Sequence, residues 1–127
     1  MFDLRKTSTE ALAYLGDSVV EIIARRTLLL RGLTHSEDLN REALHYVTAA
    51  SQARAMERIL PGLSEEERQV FLSGKNLKRL RPPQSVSLET YRIASGMEVL
   101  FAYLYLSDRM DRAEELFFAG YEEEKKT

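Results

Sequence analysis

Glu10-Ala11-Leu12-Ala13-Tyr14-Leu15-Gly16-Asp17-Ser18-Val19-Val20-Glu21 is the stretch from which the rest of the chain is read. Its apolar residues recur at three- and four-residue spacing and continue through Ile22, Ile23 and Leu30, which predicts an amphipathic helix. Asp17 is the only charge between Ala11 and Val20. A carboxylate in such surroundings is costly unless something pairs, solvates or coordinates it. Gly16, just before it, sits mid-helix, where glycine costs about 1 kcal/mol relative to alanine. The reason that fits is another backbone packed closely against it.

A second run has the same character. Residues 93–106 read Ile-Ala-Ser-Gly-Met-Glu-Val-Leu-Phe-Ala-Tyr-Leu-Tyr-Leu, with Glu98 as the only charge. Two lone acids on two apolar helices can meet around one hard cation such as Mg²⁺, which prefers oxygen ligands and needs only one or two carboxylates. Glu10 and Glu21 fall near the Asp17 face of the first helix and are possible assistants. The competing readings are that both acids cap helices, pair with an arginine, or face a solvated groove.

Outward from these runs, helix signals recur and strand signals are scarce. Thr7 and Glu10 have capping-box spacing, which predicts a start at Ser8, and Gly32 is a fitting stop. Residues 34–37 open a second helix reaching Val47, and Thr48 reads as a fresh N-cap for residues 49–60, with the pattern leaving open whether the chain bends there or runs straight on. Pro61-Gly62 is a turn, Ser64 and Glu67 form another capping box, and Gly74 is read as the stop of that short helix. Residues 75–87 lack helical periodicity. Ser87 caps the apolar helix ending at Leu106, and Ser107 or Asp108 is expected to cap the last one. This pattern predicts an all-α fold, one domain over residues 1–127 with a charged tail from about residue 122.

Composition narrows the partners. A formal net charge of -2 gives no global field to attract nucleic acid, so any such surface has to be local. The chain has no cysteine, which removes thiolate metal sites and cysteine nucleophiles and fits a cytoplasmic location. The 93–106 run is too short to span a bilayer, so no membrane partner is expected. The densest local cation group is the loop after Gly74: Lys75, Lys78, Arg79 and Arg81, with Asn76 among them. It can follow a phosphate backbone or simply be a solvated loop. His35 and His45 have no acid at metal-ligand spacing and are read as surface or satisfied contacts. Tyr14, Phe101, Tyr103, Tyr105, Phe117 and Phe118 fall on helical faces and are read as core or interface.

The first stretch resembles the ribonuclease III signature, written E-R-L-E-F-L-G-D-S. The second run resembles that family's D-x-x-E-A-L-x-G segment, with Ser95 through Ala102 in its place. The detail resembles the Mini-ribonuclease III branch, which lacks a separate double-stranded-RNA-binding domain: Ala11 through Asp17 match A-L-A-Y-[IL]-G-D, Gly74-Lys75-Asn76 match a G-[RK]-N loop, and Thr90-Tyr91-Arg92 open the matching T-Y-R run. Ala13 and Ser95 stand where longer members have Glu and Asp, a loss the smaller branch shares.

The resemblance implies a helical endonuclease domain acting as a homodimer, with Ala11, Ala13 and Tyr14 near the two-fold interface. It implies that Asp17 and Glu98 are catalytic and hold Mg²⁺, with Mn²⁺ a possible substitute. The implied substrate is double-stranded RNA, in particular the paired ends of precursor 23S ribosomal RNA, cut to leave a 5′-phosphate and a 3′-hydroxyl. Lys75, Asn76, Lys78, Arg79 and Arg81 would supply the grip on RNA. A non-catalytic RNA-binding or ribosome-assembly module on the same fold is the alternative, and the carboxylates absent at Ala13 and Ser95 would be its evidence.

Overall fold

Residues 88–106 are apolar on nearly every side, so the helix they form belongs in the middle of the molecule. The computed structural model, which describes residues 3–77 and 81–121, places it there. Among the described residues the chain is all-α: α1 (Thr9–Leu30), α2 (Ser36–Val47), α3 (Ala49–Ile59), α4 (Glu65–Lys75), α5 (Leu88–Leu106) and α6 (Met110–Gly120). Helix α5 packs against α1, α3 and α4, and α6 closes over α3. Met97, Leu100, Phe101 and Leu104 of α5 are fully buried, as are Val20 and Ala24 of α1 and Phe117 of α6. Each large side chain so buried contributes about 1.5–3 kcal/mol.

The helix ends follow from local chemistry. Ser8, rather than Thr7, caps α1: its hydroxyl accepts the Ala11 N–H, while the Thr7 hydroxyl donates to the Asp3 carbonyl. Arg31 and Gly32 end the helix, with Gly32 at φ 91°. The Gly32 and Leu33 N–H groups return to the Leu29 and Leu28 carbonyls, the Schellman arrangement that a glycine at this position permits. Thr48, with extended backbone, breaks α2 from α3 and caps the latter through the Ser51 N–H. Ser87 caps α5 as its sequence predicts.

Two expectations are corrected. Gly74 does not stop α4, which runs on to Lys75. A Cβ on Gly74 would lie 2.7 Å from the Val99 side chain, so this glycine exists to let α4 lie against α5. Neither Ser107 nor Asp108 caps α6. Ser107 terminates α5, Asp108 takes φ 57° to turn the chain, and Arg109 occupies the N-cap position of α6 without a side-chain bond.

One buried ion pair ties α4 to α6. Glu67 is 1% exposed and completes the capping box with Ser64. The Arg112 guanidinium donates to both its oxygens at 2.8 and 2.9 Å, which holds the carboxyl down to about 2. The folded pKa lies below the ordinary 4.5, so this group stabilises the fold above about pH 4.5 and loses that effect as pH falls toward 2. The full contribution is about 3 kcal/mol. Arg112→Met strands the buried carboxylate and should cost about 3–5 kcal/mol at neutral pH. Urea unfolding from pH 7 to pH 2.5 checks this: the gap between the two proteins should shrink as the solution acidifies, and a constant gap would refute the pairing.

Candidate active site

The crossing of α1 and α5 builds the site. A Cβ on Gly16 would lie 1.7 Å from the Glu98 carbonyl oxygen and 2.8 Å from its Cα, so the two backbones touch there. The mid-helix glycine therefore has the cause its sequence implied. Asp17 follows Gly16 directly, and the contact brings its carboxylate beside that of Glu98.

Around the pair lies a cleft of about 350 Å³, lined by Glu10, Ala13, Tyr14, Asp17, Leu77, Tyr91, Ser95 and Glu98. Glu10, Ala13 and Tyr14, and Asp17 follow the turns of α1, while Tyr91, Ser95 and Glu98 follow those of α5 at i, i+4, i+7. Neither Asp17 nor Glu98 takes part in an ion pair or caps a helix among the described residues.

The electrostatics are those of two like charges in one place. Burial, followed by the neighbouring Asp17 carboxylate and a hydrogen bond to it, raises Glu98 to about 8. At neutral pH Glu98 therefore holds a proton, and a dication would displace it. The donor set fits a hard cation: two carboxylates, a serine hydroxyl and a glutamate at the edge, all oxygen. No three His, Asp or Glu side chains converge as a metal cluster among the described residues, so the rest of such a shell would be water or substrate oxygen.

The other anticipated residues scatter. Glu21 does not line the cleft with Asp17 and instead pairs with Arg25, one turn further along α1. Tyr14 is 85% exposed, Ala11 is exposed, and Ala13 sits in the cleft wall. Of the basic loop, Lys75 lies 3.5 Å from Glu89 and bridges α4 to the start of α5. Asn76 terminates α4 and is exposed, Arg81 is exposed, and Lys78 and Arg79 lie outside the described residues, as does the charged tail. His35 holds the N-cap position of α2 and His45 lies 3.7 Å from Glu42, both away from the cleft. Reading by residue type passed over Tyr91 and Leu77 as cleft residues. The seven-residue step from Tyr91 to Glu98 was the available signal for the first, and Leu77 had none.

Comparison with known proteins gives one answer. The model of the ribonuclease III domain matches residues 10–109, most of the chain. The chain is 40% identical to the Mini-ribonuclease 3 of Symbiobacterium thermophilum over 109 residues, 86% of this chain and 84% of that one. It is 41% identical to the Mini-ribonuclease 3 of Desulfitobacterium hafniense over 120 residues, covering 91% and 76% respectively. A crystal structure of a protein from Fusobacterium nucleatum superposes with a TM-score of 0.85 at 26% identity, spanning 98% of this chain and 99% of that one. With its signature acid and its second acid brought together at one helix crossing, the chain belongs to the Mini-ribonuclease 3 branch of the ribonuclease III family.

Proposed function

We propose that this chain is a Mg²⁺-dependent endoribonuclease that hydrolyses double-stranded RNA, with the paired ends of precursor 23S ribosomal RNA as its cytoplasmic substrate. The observation that carries the reading is the Asp17–Glu98 carboxylate pair, joined only by the fold and without a basic partner among the described residues. Membership of the family and the names of the relatives support it.

Asp17 and Glu98 would hold the cation, Mg²⁺ or Mn²⁺. When bound, it supplies Lewis-acid polarisation of a phosphoryl oxygen and a water of lowered pKa. The residues themselves do the positioning. The backbone contact at Gly16 fixes the carboxylates against each other, and Ala13 leaves room beside them where a longer side chain would fill the cleft. The buried Ser95 makes no hydrogen bond with the described residues, so its hydroxyl is available to a cation-bound water. Water oxygen adds to phosphorus, the 3′-oxygen departs and takes a proton, and the products are a 5′-phosphate and a 3′-hydroxyl.

Double-strand cutting requires two sites, and a homodimer with Ala11, Ala13 and Tyr14 near its two-fold interface supplies them. The support is a set of large apolar side chains on α1 exposed among the described residues: Tyr14, Ile22 and Leu29 are 85%, 57% and 59% exposed. Large apolar side chains gathered on one exposed helix suit an interaction site. The test uses one preparation. Purified protein should cut a long RNA duplex only when Mg²⁺ is present, and should sediment at twice 14.6 kDa at micromolar concentration. A duplex left intact in Mg²⁺ would sink the reading, and the non-catalytic RNA-binding alternative would stand if the duplex were bound but uncut.

The loop residues Lys75, Asn76, Lys78, Arg79 and Arg81 complete the proposal as the grip on phosphates. Lys75 already has Glu89 as a partner, so the weight falls on Lys78, Arg79 and Arg81. Neutralising those three should weaken binding to every duplex sequence and flatten its salt dependence, each lost phosphate contact lowering the log–log slope by about 0.9. Unchanged affinity and slope would place the RNA elsewhere.

A further inference from the structure

Among the described residues, the Nε of Arg92 is the one buried side-chain nitrogen or oxygen that the fold leaves unanswered. Its Nε is buried with no hydrogen-bond partner, and the guanidinium enters no ion pair among the described residues. The contrast with other arginines is plain: Arg112 is held by Glu67, Arg25 by Glu21, Arg41 by Asp38, and Arg31 donates to the Tyr46 hydroxyl. A guanidinium is always charged, and a buried donor of a charged group left unpaired carries its full desolvation cost.

Its place in the fold says what would pair it. Residues 92, 96 and 99 share one side of α5 at i, i+4, i+7. Gly96 meets Phe71 and Val99 meets Gly74, so that side faces α4. Arg92 is one turn beyond Gly96, at the level where α4 ends and the chain leaves through Leu77. Leu77 and Tyr91, its neighbour on α5, both line the acid cleft. The cleft itself carries Glu10, Asp17 and Glu98 and repels a polyanion, and the nearby Lys75 is already engaged by Glu89. Arg92 does not itself line the cleft, but it follows Tyr91, which does, and its guanidinium is held by no hydrogen bond or ion pair among the described residues, so a change of rotamer toward an anionic oxygen breaks no such bond.

We propose that Arg92 is a substrate-binding residue of this site, donating to a phosphate of the RNA strand that enters the cleft. The inference rests on the nuclease reading and adds a residue that the basic loop does not contain. A fork-shaped donor pair suits phosphate, so lysine should replace it only in part.

The test compares wild type with Arg92→Met and Arg92→Lys in duplex cleavage kinetics, duplex binding against salt, and thermal unfolding. Arg92→Met should keep or raise the unfolding midpoint, because it removes an unsatisfied buried donor while preserving the stem. It should raise KM for duplex RNA about tenfold, the scale of one charge-assisted hydrogen bond, with kcat changed far less. Its salt slope should fall by about 0.9, and Arg92→Lys should restore the slope but only part of the affinity. A lowered midpoint or failure to fold with KM unchanged in Arg92→Lys would make Arg92 structural and overturn the proposal, as would unchanged KM and slope in a stable Arg92→Met. Failure of the nuclease reading is seen separately, in wild type that neither binds nor cuts duplex RNA.

Discussion

Asp17→Asn and Glu98→Gln should each reduce duplex cleavage in Mg²⁺ by about three orders of magnitude or more, while the protein stays folded. Each substitution removes a charge with almost no change in volume. Asp17 and Glu98 are the two carboxylates brought together in the cleft, with Glu10 at its edge, so a single neutralisation removes half of the central pair. A hard cation held by one carboxylate and waters is bound weakly, and the stabilisation of charge developing on the phosphoryl oxygens goes with it. Extra Mg²⁺ should therefore restore part of the lost rate, more for whichever acid contributes less.

The same variants separate a functional acid from a structural one. Glu98 is raised to about 8, so without metal its charged form is disfavoured in the fold. For an acid whose folded pKa exceeds 4.5, stability falls as pH rises from about 4.5 to about 8. Glu98→Gln removes that cost and should stabilise the metal-free protein at pH 7 by something on the order of 1–3 kcal/mol. A catalytically dead variant that melts higher than wild type is the signature of a residue kept for chemistry at the expense of the fold. If Glu98→Gln instead cuts at near the wild-type rate, or melts lower in EDTA, the assignment of Glu98 is wrong.

Local signals made most of the fold legible in the sequence. The Ser64–Glu67 capping box, the Ser87 and Thr48 caps and the Gly32 stop each act over a few residues, and each is found where its pattern lies. Gly74 was misread because a glycine that ends a helix and a glycine that admits a neighbour look alike until Val99 is set against it. The Ser107 and Asp108 caps failed for a related reason: the chain turns through Asp108 and starts α6 without a side-chain cap, a geometry set by how α6 must dock on α3. The Glu67–Arg112 pair joins residues 45 positions apart, which no local pattern reports.

For the site, the lone acids were visible because a charge in an apolar run demands an explanation, yet their meeting needed the fold. The orphaned Nε of Arg92 had no sequence signal at all, since what marks it is a partner missing in space. Glu21 illustrates the opposite error. Helical phase put it near Asp17, but Arg25 one turn on offered an ion pair that draws it along the helix, away from the cleft.

Gly16→Ala should damage fold and site together, and more than any other alanine substitution at a glycine in this chain. The added carbon would sit 1.7 Å from the Glu98 carbonyl oxygen, with the Glu98 carbonyl carbon at 2.3 Å. These are backbone atoms of a buried helix, so no side-chain rotation relieves the clash. Helices α1 and α5 have to separate, and that contact is the centre of the core, with Val20 and Leu100 fully buried close by in sequence. Overpacking of this kind costs about 1–3 kcal/mol where side chains yield, and more where backbone must move. The separation also pulls Asp17 away from Glu98, and a misplacement of about 1 Å can cost about a hundredfold in rate. Cleavage should thus fall by more than the loss of folded protein accounts for, and added Mg²⁺ should not recover it. Gly62→Ala is the control: a Cβ there meets nothing within 4 Å and its backbone is not left-handed. That variant should unfold and cut like wild type. Should Gly16→Ala do the same, the backbone contact that brings the two acids together would not be what holds the site.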